Sequence, residues 1–411
     1  MKWWRSRPLY TKIFIGLILG IIIGFVAGEQ VSFIMQPIGD IFLRMLQMLV
    51  APVVFFTIVN GITKMEDTKT LASVGGRLFV YYALTSLLAV VVGAGLAMIT
   101  QPGKGSTAFL DENAQVDASD FNLIDNIVSW VPTNPFQALN EANVLQILFF
   151  AIMLGITLLL LGDKVKGVIN LFDEGTEIMF KITDIVMSFS PYGILALMSE
   201  LVHTLDLSTL AQVGVFILTD YAGLLIILLI VYPIQLKLMS KIPVIPFFKA
   251  VSPVMLVAAS TTSSAACLPV SLKLADESFH VPEKIYGFGL TAGSSINSNG
   301  MAVAIGVISV FACNLYGMPL TAGIVTQFII TGLLLSMGTA GVKGAGVVLS
   351  TVMLQSLGLP LTLVPVLAAI WPIIDIGHTT MNVVGDMVGV CIIADRSGEM
   401  DTERFKKEFG K

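Results

Sequence analysis

The chain has 411 residues, of which 55% are hydrophobic and 12% charged, with a formal net charge of −5. So much apolar side chain exceeds what a soluble core can bury, which excludes an ordinary soluble domain and points to an all-α polytopic membrane protein. No basic and aromatic cluster suggests nucleic acid. Three cysteines, Cys267, Cys313 and Cys391, stand too far apart for a disulfide framework or a zinc site.

Apolar stretches of roughly 20 residues, the length a bilayer needs, predict eight spans at residues 13–27, 41–62, 78–100, 144–161, 178–202, 213–236, 285–316 and 361–394. The opening MKWWRSRPLYTK carries the charge of a signal n-region, but no small-residue cleavage site follows Gly28, so the first helix is read as retained. Basic residues cluster before span one (Lys2, Arg5, Arg7, Lys12) and after spans two (Lys64, Lys69, Arg77), four (Lys164, Lys166), six (Lys237, Lys241) and eight (Arg396, Arg404, Lys406, Lys407). All of these lie on one side of the membrane if the chain crosses at every span, which predicts a protein of the cell membrane with both termini cytoplasmic. The opposite loops, 29–40 and 203–211, contain no Lys or Arg, and the connection 101–143 has only Lys104. That connection is read as an extracellular loop without chemistry of its own. His203 and His280, near span ends, are read as interfacial residues.

Two apolar regions are interrupted by small polar residues, AASTTSSAACLPVS at 258–271 and SMGTAGVKGAG at 336–346. Opened backbone at membrane depth survives only where protein or a wet cavity covers it, so both regions predict tips of re-entrant helical hairpins. Between them the seventh span carries GSSINSNGMA at 293–302. Asn-Ser-Asn-Gly inside an apolar run predicts a break that frees carbonyl oxygens, which suit sodium.

The last span contains WPIIDIGHTTMNVVGD, residues 371–386. On a helix Asp375, His378, Thr379, Asn382 and Asp386 share an arc roughly 100° wide. A carboxylate in a bilayer costs about 2.5–3.5 kcal/mol on insertion scales. Two on one stripe predict a site for cations and an ionised solute rather than a packing seam, for which Ser or Thr would suffice.

Together with YYALTS at 81–86 and NPFQALNEANVLQILFFAIMLG at 134–155, these motifs resemble, over nearly the whole chain, the dicarboxylate/amino acid:cation symporters, the glutamate-transporter family. The resemblance implies eight transmembrane helices plus two re-entrant hairpins built as inverted repeats, a homotrimer in the cell inner membrane, and elevator-type alternating access. It implies scaffold spans 1–2 in 1–76, span 3 of the transport domain in 77–100, scaffold spans 4–5 in 144–210, and the rest of the transport domain in 211–411.

The resemblance also implies site residues. One sodium site would use carbonyls near Gly293 and Asn297 with Asn382 and Asp386. A second would use Tyr82, Thr85, Ser86, Asn297 and an aspartate, where this chain has Asn299. A third would use carbonyls around Ser295, Ser336, Met337 and Thr339. Asp375 would hold the substrate's ammonium group; Asn382 with Ser263 and Ser264 would hold its α-carboxylate, and Gly341 and Thr379 would line the same pocket. The family arginine that grips an acidic side chain is His378 here, and its assisting threonine is Met301. Trp371 stands where a further family acid often sits, and Lys343 replaces a common proline.

A neutral imidazole beside a thioether lacks the permanent bidentate fork of arginine. The expected function is therefore sodium-coupled symport of a neutral or polar amino acid. The alternative is a symporter for a dicarboxylate or acidic amino acid, coupled to protons through His378. A channel would conduct without solute coupling. An intramembrane hydrolase could pair Ser263 or Ser264 with His378, but nothing supplies an oxyanion hole, so no enzyme is expected.

Overall fold

The computed structural model describes residues 7, 9–27, 29–63, 75–106, 128–204, 207–337 and 345–409, and every regular element among them is helical. Six helical stretches are long and apolar enough to cross a membrane: Phe33–Thr63, Gly76–Thr100, Ser208–Met239, Val244–Thr261, Glu283–Leu315 and Leu361–Arg396. Thr11–Val26, Ala322–Met337 and Ala345–Ser356 are apolar but shorter.

The first three helices are α1 (Leu9–Ala27), α2 (Glu29–Gln47) and α3 (Val50–Thr63). The expected loop 29–40 is thus helical. A stretch without Lys or Arg has the charge of a connection, yet Glu29–Gln47 is one helix with Pro37 inside it, and Gly39 brings it against Leu197, whose side chain a Cβ there would meet at 2.9 Å. Further along the chain, α6 (Val144–Leu161) and α7 (Lys166–Ser188) pack on α3 through Phe55, Phe56, Phe150 and Phe172, whose rings lie 5.4–6.0 Å apart. The predicted fifth span is broken. α7 ends at Ser188, and α8 (Ser190–Thr204) starts anew at Ser-Pro, where Pro191 cannot extend a preceding helix. α1 lies against α8 through Gly16, Gly20 and Gly24: a Cβ on any of them would fall 2.3–2.5 Å from the carbonyl oxygens of Pro191, Leu195 and Ser199. Four-residue glycine spacing lets the two backbones touch.

α4 (Gly76–Thr100) crosses a later helix in the same way, as described below. The connection after it is described only at its ends, where Asn134 caps α5 (Pro135–Asn140) by accepting from the backbone N–H groups of Phe136 and Gln137. That gives the NPFQ sequence a local meaning, with Pro at the first helical position. α9 (Leu207–Ile226) continues through a π turn at Ile227–Val231 into α10 (Tyr232–Met239). The predicted loop 203–211 is therefore mostly helix, and the division expected at 210/211 falls inside α9.

α11 (Val244–Thr261) and α12 (Ser264–Glu277) form a helical hairpin whose tip is only Thr262 and Ser263. Thr262 has φ 48, left-handed, and its N–H closes α11 on Ala258. Ser263 caps α12 by accepting from the Ala266 N–H at 3.3 Å. The interruption predicted for the next span is present: α13 (Glu283–Ile296) stops before Asn297 and Ser298, and α14 (Asn299–Leu315) resumes after them. α14 is buried on nearly all sides and crosses α4 in contact, since a Cβ on Gly93 would lie 2.3 Å from the Val303 oxygen and one on Gly306 2.5 Å from the Val90 oxygen.

α15 (Ala322–Met337) and α16 (Ala345–Ser356) flank the second predicted tip, and Thr339, Gly341 and Lys343 lie outside the described residues. α17 (Val364–Arg396) is the longest helix, and α18 (Thr402–Phe409) follows it. α18 folds back on the turn between α12 and α13. Phe405 stacks on Phe279 with centroids 5.1 Å apart, His280 Nε2 lies 3.0 Å from Glu408 Oε2, and Lys284 pairs with Glu399. His280 is therefore a docking residue rather than a free interfacial one, and its contact, with that of Arg404, holds the Glu408 carboxyl below the usual carboxylate range.

Candidate functional site

The site is built where the broken span meets α17. Asp386 is buried, and its Oδ1 accepts a hydrogen bond from Asn297 Nδ2 at 2.8 Å. A Cβ on Gly293 would lie 2.6 Å from that oxygen and 2.9 Å from the Tyr82 hydroxyl, so carboxylate, phenol and bare backbone converge on one point. The Gly293 carbonyl closes α13 by accepting the Asn297 N–H at 2.8 Å, and the carbonyls after it lack a following turn. Asn297 Oδ1 is buried and has no hydrogen-bond partner among the described residues. A buried carboxyl group, backbone carbonyls at a helix end and an amide oxygen form an all-oxygen donor set that fits a hard monovalent cation. Asn382 joins the same region, accepting from the Gly300 N–H at 2.7 Å and pinning the first turn of α14 to α17.

The residues expected for a second cation are brought together differently. Ser86 Oγ donates to Asn299 Oδ1 at 3.0 Å, and Asn299 Nδ2 donates to the Tyr232 hydroxyl. The Thr85 hydroxyl is spent within its own helix on the carbonyls of Tyr81 and Tyr82, and the Tyr82 hydroxyl on the Gly289 carbonyl at 3.0 Å. Asn299 therefore closes a neutral network instead of offering a charge. Of the third set, Ser336 is buried and donates to the Leu333 carbonyl beside Met337, the last residue of α15. Ser295 lies in the last turn of α13.

The largest departure from expectation is His378. Its ring does not stand alone in a pocket: Nε2 lies 2.8 Å from Asp220 Oδ2 of α9, and the pair is almost fully buried. His378 Nδ1 and Asp220 Oδ1 are buried without hydrogen-bond partners among the described residues. The Trp371 ring lies 5.5 Å from the imidazole and fills the space that Gly346 leaves, where a Cβ would sit 1.6 Å from the indole. Met301 and Thr379 are buried beside this stretch of α17, and the Gly300 backbone lies directly against His378, where a Cβ would fall 2.4 Å from its Cα. Asp220 escaped the sequence reading although it is the sole acid in the predicted span 213–236.

Asp375, one turn before His378, lies at the edge of a cavity of ≈ 170 Å³. Leu46, Met187 and Ile194 line it on one side, and Ser260, Thr262 and Trp371 on the other. The cavity touches the tip of the α11–α12 hairpin, and buried Ser264 begins the second arm of that hairpin. The predicted serines thus stand at the tip, near the acid that faces the cavity.

A family model described as the sodium:dicarboxylate symporter family matches residues 9–396. The chain is similar to the proton/sodium-glutamate symport protein of Geobacillus stearothermophilus, with 31% identity over 413 residues and 98% of each chain covered. It is 28% identical over 402 residues to the C4-dicarboxylate transport protein of Bacillus subtilis, covering 96% of this chain and 95% of that one. To the proton/glutamate-aspartate symporter of Escherichia coli it is 28% identical over 414 residues, covering 96% and 94%.

Proposed function

The chain belongs to the sodium:dicarboxylate symporter family, and on that premise we propose that it is a cation-coupled symporter for an acidic amino acid or a C4-dicarboxylate. The neutral amino acid expected from His378 and Met301 is the weaker reading: relatives on either side of it are named for glutamate, aspartate and C4-dicarboxylates. The observation that carries the acidic reading is the 2.8 Å contact between His378 and Asp220. The expectation of a neutral pocket assumed an isolated imidazole. With the Asp220 carboxylate accepting at Nε2, a proton on Nδ1 makes that nitrogen a charged donor for a second carboxylate. Asp375 supplies the matching anion for an ammonium group, which favours an acidic amino acid within the class.

Sodium at Asp386 would neutralise a buried charge and fix the broken span, so solute binds tightly only when the ion does. A proton is the second candidate cation. In this reading the eight spans, with α11–α12 and α15–α16 as re-entrant hairpins, divide into scaffold and transport parts. The transport part comprises α4, α9–α10 and everything after about residue 246, and moves as an elevator within a homotrimer whose termini face the cytoplasm. The α15–α16 hairpin closes the site from outside. Hydrogen bonds joining α4, α10, α14 and α17 through Tyr81–Gln235, Asn299–Tyr232 and Tyr232–Met381 support a transport part that travels as one body.

The test is uptake into proteoliposomes of labelled glutamate, aspartate, succinate and serine under an inward sodium gradient. Sodium-driven uptake of glutamate, aspartate or succinate, uncompeted by serine, is expected. Sodium-driven serine uptake that aspartate does not compete would restore the neutral reading.

A further inference from the structure

We propose that Asp220 and His378 together hold one proton that is loaded with the acidic solute, with Asp220 as a positioning residue that does not touch the cargo. The proposal rests on the acidic-solute reading above. Its ground is geometric: Nε2 and Oδ2 lie 2.8 Å apart, both side chains are withdrawn from solvent, and each keeps one buried polar atom, Nδ1 and Oδ1, without a partner among the described residues. A histidine that served only packing would have no reason to face a carboxylate from another helix.

Charge counting gives the consequence. With one proton on the pair, imidazolium and carboxylate sum to zero and Nδ1–H is free to donate. Without it the pair carries a full negative charge and Nδ1 accepts. The first state receives a solute carboxylate; the second repels it. Proton and acidic solute therefore favour each other's binding, and the coupling is reciprocal. Among the described residues, the groups named next set no competing charge of positive sign. From α9 come Asp220 and Tyr221, whose hydroxyl is given to the Ile373 carbonyl at 2.6 Å. On α17 itself stand Asp375 and Trp371, and α14 presents the bare backbone of Gly300. Both partners lie in helices assigned to the transport part, so the proton would cross with the cargo.

The experiment uses the purified full chain with glutamate and succinate as probes. Calorimetry in buffers of unequal ionisation heat counts the protons taken up per solute between pH 6 and 8. Nitrogen NMR of labelled histidine reads the protonation of the imidazole directly, with only three histidines in the chain. The wild type is expected to take up about one proton per solute, its affinity falling about tenfold per pH unit once the pair has lost its proton. Asp220→Asn is expected to bind the probes weakly and without proton uptake, Asp220→Glu to restore both, and His378→Arg to bind with no dependence on pH. Probe binding that leaves the His378 signals unchanged, or that takes up the same protons in His378→Arg, overturns the proton site while leaving the acidic-solute reading intact. If neither probe binds at any pH and serine does, that reading fails first and the proton site falls with it.

Discussion

The Tyr232 hydroxyl receives a hydrogen bond from Asn299 Nδ2 at 2.9 Å and passes its own proton to the Met381 carbonyl at 3.2 Å. With Ser86 on the other end of the Asn299 amide, the position where the family resemblance implies an aspartate is here a neutral tie between four helices. Asn299→Asp would replace the donating NH₂ with an anionic oxygen and give a cation a reason to enter. The sodium dependence of solute binding should steepen by about one ion, as read from sodium titrations followed by thermal shift. An unchanged slope would show that the site is closed by geometry rather than by charge.

Asp386→Asn removes the carboxyl group at the broken span while keeping a group that can face Asn297. Losing a desolvated charge partner costs about 2–5 kcal/mol, so apparent sodium affinity should drop roughly 30-fold or more. Sodium-driven uptake should vanish while the unfolding temperature without sodium stays near that of the wild type. Retained sodium-driven uptake would remove Asp386 from the coupling mechanism.

Asp375→Asn separates the two solute classes. An acid that pairs with an ammonium group matters for glutamate and not for succinate. Glutamate affinity should fall at least tenfold, worth about 1.4 kcal/mol, with succinate affinity equal or better. Parallel losses for both in competition binding would mean that Asp375 shapes the cavity and pairs with nothing on the solute.

Gly346→Ala would place a methyl group 1.6 Å from the Trp371 ring. Overpacking of this kind costs typically 1–3 kcal/mol, and the indole cannot retreat without pushing toward His378. The substitution should lower the unfolding temperature, and adding Trp371→Phe should recover most of the loss. A thermal-unfolding series over the four proteins checks this; no recovery in the double variant would place the strain elsewhere.

Much of the site was legible because polar residues in so apolar a chain need a reason. Asn297 and Ser298 interrupt the helix where the sequence indicates, and Asp386 sits beside that break. What could not be read was tertiary. Asp220 and His378 are 158 positions apart, and periodicity places a side chain on a face without naming what meets it. The two misplaced boundaries have local causes. The lack of Lys and Arg in residues 29–40 carries no information about their backbone, which is helical with Pro37 inside it, and the Ser-Pro step at 190–191 is a start signal hidden within an apolar run.

The contact between α18 and the base of the first hairpin has a consequence for how the protein is made. His280 and Glu408 lie 128 positions apart, so at about 5–20 residues per second the ribosome needs roughly 6–26 s to supply the second after the first. Throughout that interval Phe279 has Phe247 beside it at 5.3 Å but not its other neighbour, Phe405. The hairpin must hold its place in the nascent bundle on helix contacts alone, and the clamp that α18 forms seals an assembly already threaded through the bilayer. Slowing translation between these two segments should lengthen the exposure of Phe279 and make the half-made chain a better client for chaperones and proteases.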